Sequence, residues 1–115
     1  MDDRTRRVLL FDFYGDLLTR KQREVYDLYY QKDLSLGEIA ADGGVSRAAV
    51  YDLLRRADRE MEDYERVLSL VDAHIRRKAA GEAFLSRLDD AAGVIPEHWL
   101  DEFRARISQV LTIEM

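Results

Sequence analysis

Cysteine is absent from this chain of 115 residues, which has only one proline and six glycines. Without cysteine there is no disulfide, no thiolate nucleophile and no cysteine-ligated zinc or iron–sulfur site. Long apolar runs are also missing. The longest near the N-terminus, Val8 to Phe11, stops at Asp12 and is too short for a signal-peptide core or a membrane-spanning helix. We therefore expect a soluble cytosolic protein that does not insert into a membrane.

A surplus of positive charge is the next absence. The chain has 18 Lys and Arg against 23 Asp and Glu, a formal net charge of −5. This balance excludes a uniformly basic, histone-like nucleic-acid binder. Hydrophobic residues make up 47%, which is too many for a disordered tail and enough for a modest core.

The scarcity of helix breakers, with an abundance of Ala, Leu, Glu and Arg, predicts an all-α fold. The first helix should run from about Asp3 to Leu18, with Gly15 as its weak point. It is apolar around most of its circumference and should be buried between partners. The strings TRKQ from Thr19 and SLGE from Ser35 are capping boxes, which predict the starts of a second and a third helix.

A fourth helix is expected to be long. Gly43 and Gly44 should end the third helix, and Ser46 should cap the fourth. No Gly or Pro occurs between Val45 and Ala80, so this helix is predicted to continue to Gly81. Its apolar residues alternate at spacings of four and three, a heptad repeat typical of a coiled-coil seam: Val50, Leu54, Ala57, Met61, Tyr64, Leu68, Val71 and Ile75.

The remainder of the chain should be helical as well. Gly81 is expected to end the long helix, and a short helix should follow around Leu88. After a turn at Gly93, Pro96 suits the first position of a last helix. The predicted organisation is a head over residues 1–60, followed over residues 61–115 by the long-helix extension and a C-terminal helical part.

One segment, from Leu34 to Leu53, fits the helix-turn-helix template. Ala40 is small where the two helices would cross, Gly44 supplies the turn, and Val45 packs the turn down. Gly43 departs from the template, because a large apolar residue is expected before the turn.

The longer strings carry a family resemblance. From Leu18 to Arg59 the pattern LT-x-x-QREV, SL-x-EIA and VSR-x-x-V resembles region four of bacterial sigma factors. The opening LLFDFYGDLLTRKQREVYDLYY, the run VSRAAVYDLLRR and the long helix after it resemble the YlxM family of small bacterial helix-turn-helix proteins. Those proteins are typically encoded beside components of the signal recognition particle. The resemblance covers nearly the whole chain, with the part from about Gly81 not matched in detail, and it implies an accessory or regulatory role in that pathway.

In such motifs the second helix enters the major groove and its first residues face the base edges. Arg47 is placed to pair with a guanine edge. The other candidate DNA-binding residues are Ser46 and Tyr51 on the same helix, and cations for phosphates: Arg55, Arg56, Arg20, Lys21 and Arg23. Between Thr19 and Glu60, however, eight basic residues face eight acidic ones. Strong DNA binding therefore requires the arginines to lie on one face.

Two further basic clusters, RTRR from Arg4 and RRK at Arg76 to Lys78, are interpreted as solvated helix faces.

The heptad seam either pairs with a second copy or is covered within the chain. We predict a homodimer whose interface comprises Met61, Tyr64, Leu68, Val71 and Ile75.

Signs of catalysis are lacking. The chain has no HExxH string, no phosphate-binding glycine loop and no Ser-His-Asp pattern, so we expect no enzyme activity, cofactor or metal. His74 should lie on the surface and His98 should pack or cap near a helix start. Trp99 and Phe103 should anchor the last helix.

Two functions remain open at this point. One is a regulatory protein that binds duplex DNA as a dimer. The other is a module that binds a protein or RNA component of the signal recognition particle pathway and does not bind DNA.

Overall fold

The computed structural model describes residues 1–112 and confirms an all-α fold. A short 3-10 turn, Gly15–Leu17, follows the first helix at the glycine that weakens it. Residues 113–115, at the end of the predicted C-terminal part, lie outside the described residues. The α-helices in this part of the chain are α1 (Asp3–Tyr14), α2 (Arg20–Tyr30), α3 (Leu36–Gly43), α4 (Arg47–Leu68), α5 (Leu70–Asp90) and α6 (Glu97–Thr112).

The chain divides into two compact units, Met1–Val71 and Asp72–Met115. The first unit therefore extends past the expected boundary at residue 60. It does so because α4 still contributes buried side chains at Met61 and Glu65. Among the helices described, none is long and apolar enough to cross a membrane.

Both predicted capping boxes are present and start α2 and α3. The Thr19 hydroxyl accepts a hydrogen bond from the Gln22 N–H at 3.2 Å, and the Gln22 side chain accepts one from the Thr19 N–H at 3.0 Å. Ser35 and Glu38 exchange the corresponding two bonds, each at 3.1 Å. Each box satisfies two backbone donors that the first turn of a helix leaves without partners.

A tight turn joins α3 to α4. Gly44 is left-handed, with φ +66°, and the next N–H, of Val45, donates to the Ala40 carbonyl at 3.1 Å. The chain then enters α4 through Ser46, whose hydroxyl accepts from the Ala49 N–H at 3.0 Å. Of the two adjacent glycines, only Gly44 has the backbone conformation that favours glycine.

Gly44→Ala should therefore lower the free energy of unfolding of the first unit by about 1–2 kcal/mol, because a side chain disfavours the left-handed conformation. Gly43→Ala is the matched control. It lies in α3, and its new Cβ would lie 3.7 Å from Cγ2 of Val45, an ordinary contact. Urea unfolding followed by circular dichroism compares the two. Equal stability of the variants would contradict this role for Gly44.

The core of the first unit is built around α4, which packs against α1, α2 and α3. Its buried face carries the first half of the predicted heptad. The buried apolar residues of this core are Leu10, Tyr14, Leu18, Val25, Tyr26, Ile39, Ala40, Val50, Leu54, Ala57 and Met61. The four heptad residues among them are therefore covered within the chain: Val50, Leu54, Ala57 and Met61.

The prediction that the fourth helix runs unbroken to Gly81 is wrong. It ends at Leu68, because Ser69 takes a left-handed backbone conformation with φ +55°. Gly81, the expected breaker, lies inside α5. A Cβ on Gly81 would stand 2.5 Å from a methyl group of Leu111, so glycine there allows α6 to approach closely. The heptad is thus interrupted between Leu68 and Val71.

A buried hydrogen-bond network holds the break at Ser69. Glu65 is only 8% exposed, and its Oε1 accepts from the Tyr14 hydroxyl at 2.6 Å and from the Val71 N–H at 2.9 Å. The Tyr14 oxygen accepts in turn from the Leu70 N–H at 3.1 Å. Two backbone donors at the start of α5 are therefore satisfied by side chains from α1 and α4. Burial, and then the bond to Glu65, raise the pKa of Tyr14.

The second unit contains most of α5 and all of α6, joined through a turn at Gly93, which has φ +88°. Leu88 and Leu100 are buried in it. α6 begins at Glu97, one residue after Pro96. Trp99 makes an edge contact with Phe103 at 6.2 Å but is 52% exposed, so it anchors α6 less than expected.

His74 is buried, at 7% exposure, and its predicted surface position is wrong. His74 lies one turn after the buried Val71 on α5 and shares its face. His98 is exposed and makes an edge contact with Trp99 at 6.2 Å.

Candidate nucleic-acid interface

The second helix of the motif is fixed by its buried side and presents its other side to solvent. Val50, Leu54 and Ala57 are buried. Arg47, Tyr51 and Arg55 follow at i, i+4 and i+8, and all three are exposed, Tyr51 by 56%. Residues four apart lie near one another on a helix surface. The structure therefore places these three predicted DNA-binding residues in one row along α4.

Arg47 is the first residue of α4 and lies beside the start of α3. A Cβ on Gly37 would be 3.7 Å from the Nε of Arg47, an ordinary contact, so the Arg47 side chain lies alongside Gly37. Ser46 also lies at this end, but its hydroxyl oxygen already accepts the Ala49 N–H. The first role of Ser46 is to cap the helix.

Several of the predicted phosphate-binding cations are held by neighbouring carboxylates. Arg56 pairs with Asp52 at 3.0 Å, Arg20 with Glu24 at 2.9 Å, and Arg23 with Asp16 at 3.7 Å. The first two pairs join residues four apart on one helix. These ion pairs lie at the surface and are weak, but they reduce the net positive charge that the arginines present.

Other cations in the first unit have no such partner. Within residues 1–112, no carboxylate oxygen lies within 4.0 Å of Lys21, Arg47, Arg55 or Arg59. Arg59 was not among the predicted site residues. Its spacing of four from Arg55 could have identified it, since it extends the row that begins at Arg47. We name the residues Arg47, Tyr51, Arg55 and Arg59 the α4 row.

The RTRR cluster is engaged within the first unit and is not a solvated face. Arg4 bonds to the carboxylate of Asp33 and to the Tyr30 carbonyl. Arg6 makes a bidentate pair with Glu62 at 2.7–2.8 Å. Arg7 pairs with Asp58 at 2.9 Å and with Asp3 at 3.2 Å. These arginines tie α1 to the rest of the first unit, although Arg4 and Arg6 remain partly exposed. In the RRK cluster, Arg76 pairs with Asp72 at 3.0 Å.

A half-buried polar cluster joins α4 to α1 and α2. The Tyr26 hydroxyl donates to Asp58 Oδ1 at 2.7 Å, while Arg7 pairs with the other oxygen. Burial raises the pKa of Asp58, although the bond from Tyr26 and the charge of Arg7 act to lower it. Burial, and then the Asp58 carboxylate, raise the pKa of Tyr26 far above its ordinary value. Tyr26 therefore remains protonated, and its bond to Asp58 links α2 to α4.

The five residues predicted for the dimer interface are placed differently from one another. Met61 and Val71 are fully buried, Tyr64 and Ile75 are half-buried, and Leu68 is exposed. Tyr64 packs against the ring of Tyr14 at 5.9 Å. In the part of the chain that the structure describes, His, Asp and Glu do not gather into a group that could hold a metal ion.

Comparison with known proteins gives a consistent result. Residues 1–94 match the model of the family UPF0122, described as "Putative helix-turn-helix protein, YlxM / p13 like". A UPF0122 protein of Symbiobacterium thermophilum is 46% identical over 91 residues, which cover 79% of this chain and 85% of that protein. One from Clostridium botulinum is 40% identical over 100 residues, covering 87% and 92%. One from Caldanaerobacter subterraneus is 52% identical over 73 residues, covering 64% and 62%.

Proposed function

Since the chain belongs to the UPF0122 family of YlxM- and p13-like helix-turn-helix proteins, we propose that it is a regulatory protein that binds duplex DNA through α4. The observation that supports this most is the α4 row, with three guanidinium groups that no carboxylate compensates among residues 1–112. The predicted neutral balance counts all charges of the head. The arginines of the α4 row have no carboxylate oxygen within 4.0 Å among residues 1–112.

Each member of the row has a role in this proposal. Arg47, at the N-terminal end of α4, reads a base edge, and guanine presents the two acceptors that a guanidinium prefers. Tyr51 packs on the groove wall. Arg55 and Arg59, further along the helix, bind phosphates. Lys21 on α2 binds the sugar–phosphate backbone of the DNA beside them. Asp52 does not oppose the DNA strongly, because Arg56 neutralises it at 3.0 Å.

Arg47→Ala and Arg55→Ala should each weaken binding to a mixed-sequence duplex about five- to tenfold, because each removes one contact to a charged or base-edge acceptor. Fluorescence anisotropy with a labelled duplex at low salt measures the change. Arg66→Ala is the control: it lies on the same helix, and its ion pair with Asp63 at 2.8 Å occupies it. Affinities that fall equally in all three variants would refute a specific role for the row.

A homodimer is part of the proposal, since dimeric helix-turn-helix proteins read two half-sites. Because Met61 and Val71 are buried, the contact between copies would use exposed apolar residues around the end of α4, among which Val67 is 81% exposed. Sedimentation at micromolar concentration should give a mass near 27 kDa, twice the 13.4 kDa of the chain. A mass of one chain would refute the dimer.

A role as a protein- or RNA-binding module of the signal recognition particle pathway is the alternative that the resemblance implies. It predicts no duplex DNA binding even at low salt. The anisotropy titration therefore separates the two functions.

A further inference from the structure

A cavity of about 270 Å³ opens in the first unit beside the α4 row. It is walled by α1, α2, α3 and α4, and the lining residues that matter here are Arg7, Tyr29, Tyr30, Tyr51, Arg55 and Asp58. The volume is just below the usual range for small-molecule sites, about 300–1,000 Å³. One ring system fits inside, and the rest of a larger ligand would extend through the mouth.

The cavity presents three phenol hydroxyls, which can donate and accept, and the guanidinium of Arg55. Among residues 1–112, the hydroxyls of Tyr29, Tyr30 and Tyr51 have no hydrogen-bond partner, and no carboxylate oxygen lies within 4.0 Å of Arg55. Both lining carboxylates contact Arg7: Asp58 accepts from Tyr26 on one oxygen and pairs with Arg7 on the other, and Asp3 pairs with Arg7 at 3.2 Å. Arg55 is therefore the lining cation left to pair with a negatively charged ligand group.

The walls are also aromatic. The rings of Tyr29 and Tyr30 meet edge-to-face at 4.8 Å, and Tyr30 packs on Tyr26 at 4.5 Å. These contacts, with Arg4 at 5.8 Å from the centre of the Tyr30 ring, hold the two rings on α2. Tyr51, on α4, is 56% exposed and also lines the cavity. A flat aromatic ligand stacks on an exposed ring of this kind.

We propose that this cavity binds a nucleoside monophosphate. Its base packs among Tyr29, Tyr30 and Tyr51, where the three phenol groups donate to the acceptors of the base edge. Its phosphate pairs with Arg55 at the mouth. Because Tyr51 and Arg55 also belong to the α4 row, a bound nucleotide occupies part of the surface proposed for DNA and competes with it. The same chemistry is available from a free mononucleotide or from the 5′-terminal nucleotide of a strand.

Isothermal titration of the full chain, without DNA, with AMP, GMP, CMP and UMP tests the proposal. We expect saturable binding of at least one of them. The affinity should fall about tenfold in Tyr29→Phe and in Arg55→Ala, each of which removes one polar contact. Guanosine and inorganic phosphate, probed separately, should each bind more weakly than GMP or not at all. A 5′-phosphorylated dinucleotide identifies the source: tighter binding than the mononucleotide indicates a strand end, and weaker binding a free nucleotide.

Arg47→Ala is the matched variant, since Arg47 lies outside the cavity. It should keep nucleotide binding while losing DNA affinity, and Tyr29→Phe should do the reverse. The two proposals can thus fail independently. The nucleotide site is refuted if no mononucleotide binds at millimolar concentration, if phosphate alone binds as well as the nucleotides, or if binding is unchanged in both Tyr29→Phe and Arg55→Ala. Circular dichroism confirms that each variant is folded.

Discussion

Met61→Ala should lower the free energy of unfolding of the first unit by about 2–5 kcal/mol, the range for truncating a buried Met or Leu. Met61 is fully buried on the face of α4 that carries Val50, Leu54 and Ala57. Met61 is thus part of the core of its own chain. The loss should appear in urea unfolding at any protein concentration.

Arg66→Ala is the control, because Arg66 lies on the same helix, is exposed, and makes only a surface ion pair with Asp63 at 2.8 Å. Its effect on unfolding should be within about 0.5 kcal/mol. If Met61→Ala left the stability of the isolated chain intact and instead weakened self-association, the intrachain packing of α4 would be contradicted.

Glu65→Ala should cost about 2–5 kcal/mol, because it leaves two donors in the interior, the Tyr14 hydroxyl and the Val71 N–H, without their acceptor. Glu65→Gln should cost less, since the amide oxygen can accept both bonds. The loss in Glu65→Ala should be accompanied by faster amide exchange at Leu70 and Val71, where α5 begins, and hydrogen-exchange mass spectrometry measures it.

Glu62→Ala provides the comparison for that result. Glu62 lies one turn earlier on α4 and makes a bidentate pair with Arg6, but both side chains are more than a third exposed. Removing it should cost at most about 1 kcal/mol. Comparable losses for Glu62→Ala and Glu65→Ala would mean that the buried network does not hold the start of α5.

The beginnings of the helices could be predicted because their signals are local. Thr19 with Gln22, and Ser35 with Glu38, lie three residues apart, and the bonds they exchange depend on little else. Gly44 likewise fixes its turn through its own backbone freedom. In these places the sequence contains all the residues that decide the structure within one short segment.

The break at Ser69 could not be predicted, because its causes are distant along the chain. Serine has no preference for the left-handed conformation, and here Tyr14, 56 residues before Leu70, helps to hold the start of the next helix. Gly81 led to the opposite error, because it was expected to end a helix and lies inside one. A glycine usually ends a helix, but here it makes room for Leu111, a contact that no periodicity reveals.

The candidate interface could be predicted in its residue types but not in its charge. Sequence identified Arg47, Tyr51 and Arg55 from the template. It also counted eight acidic residues against eight basic ones over Thr19 to Glu60. It could not show that Glu24 and Asp52 are taken up by neighbouring arginines while other arginines are left without a carboxylate. Which side chains pair, and not how many there are, leaves the arginines of the α4 row without an ion pair among residues 1–112.

The salt dependence of duplex binding tests the central claim most directly. The wild-type chain should bind a mixed-sequence duplex at low salt. A plot of the logarithm of the binding constant against the logarithm of salt concentration should have a slope of about −3, as expected when the α4 row and Lys21 displace about three to four counterions from the phosphates. The slope should become shallower by about one in Arg55→Ala. Absence of binding at low salt, or a slope near zero, would contradict the proposal that α4 is a DNA-binding helix.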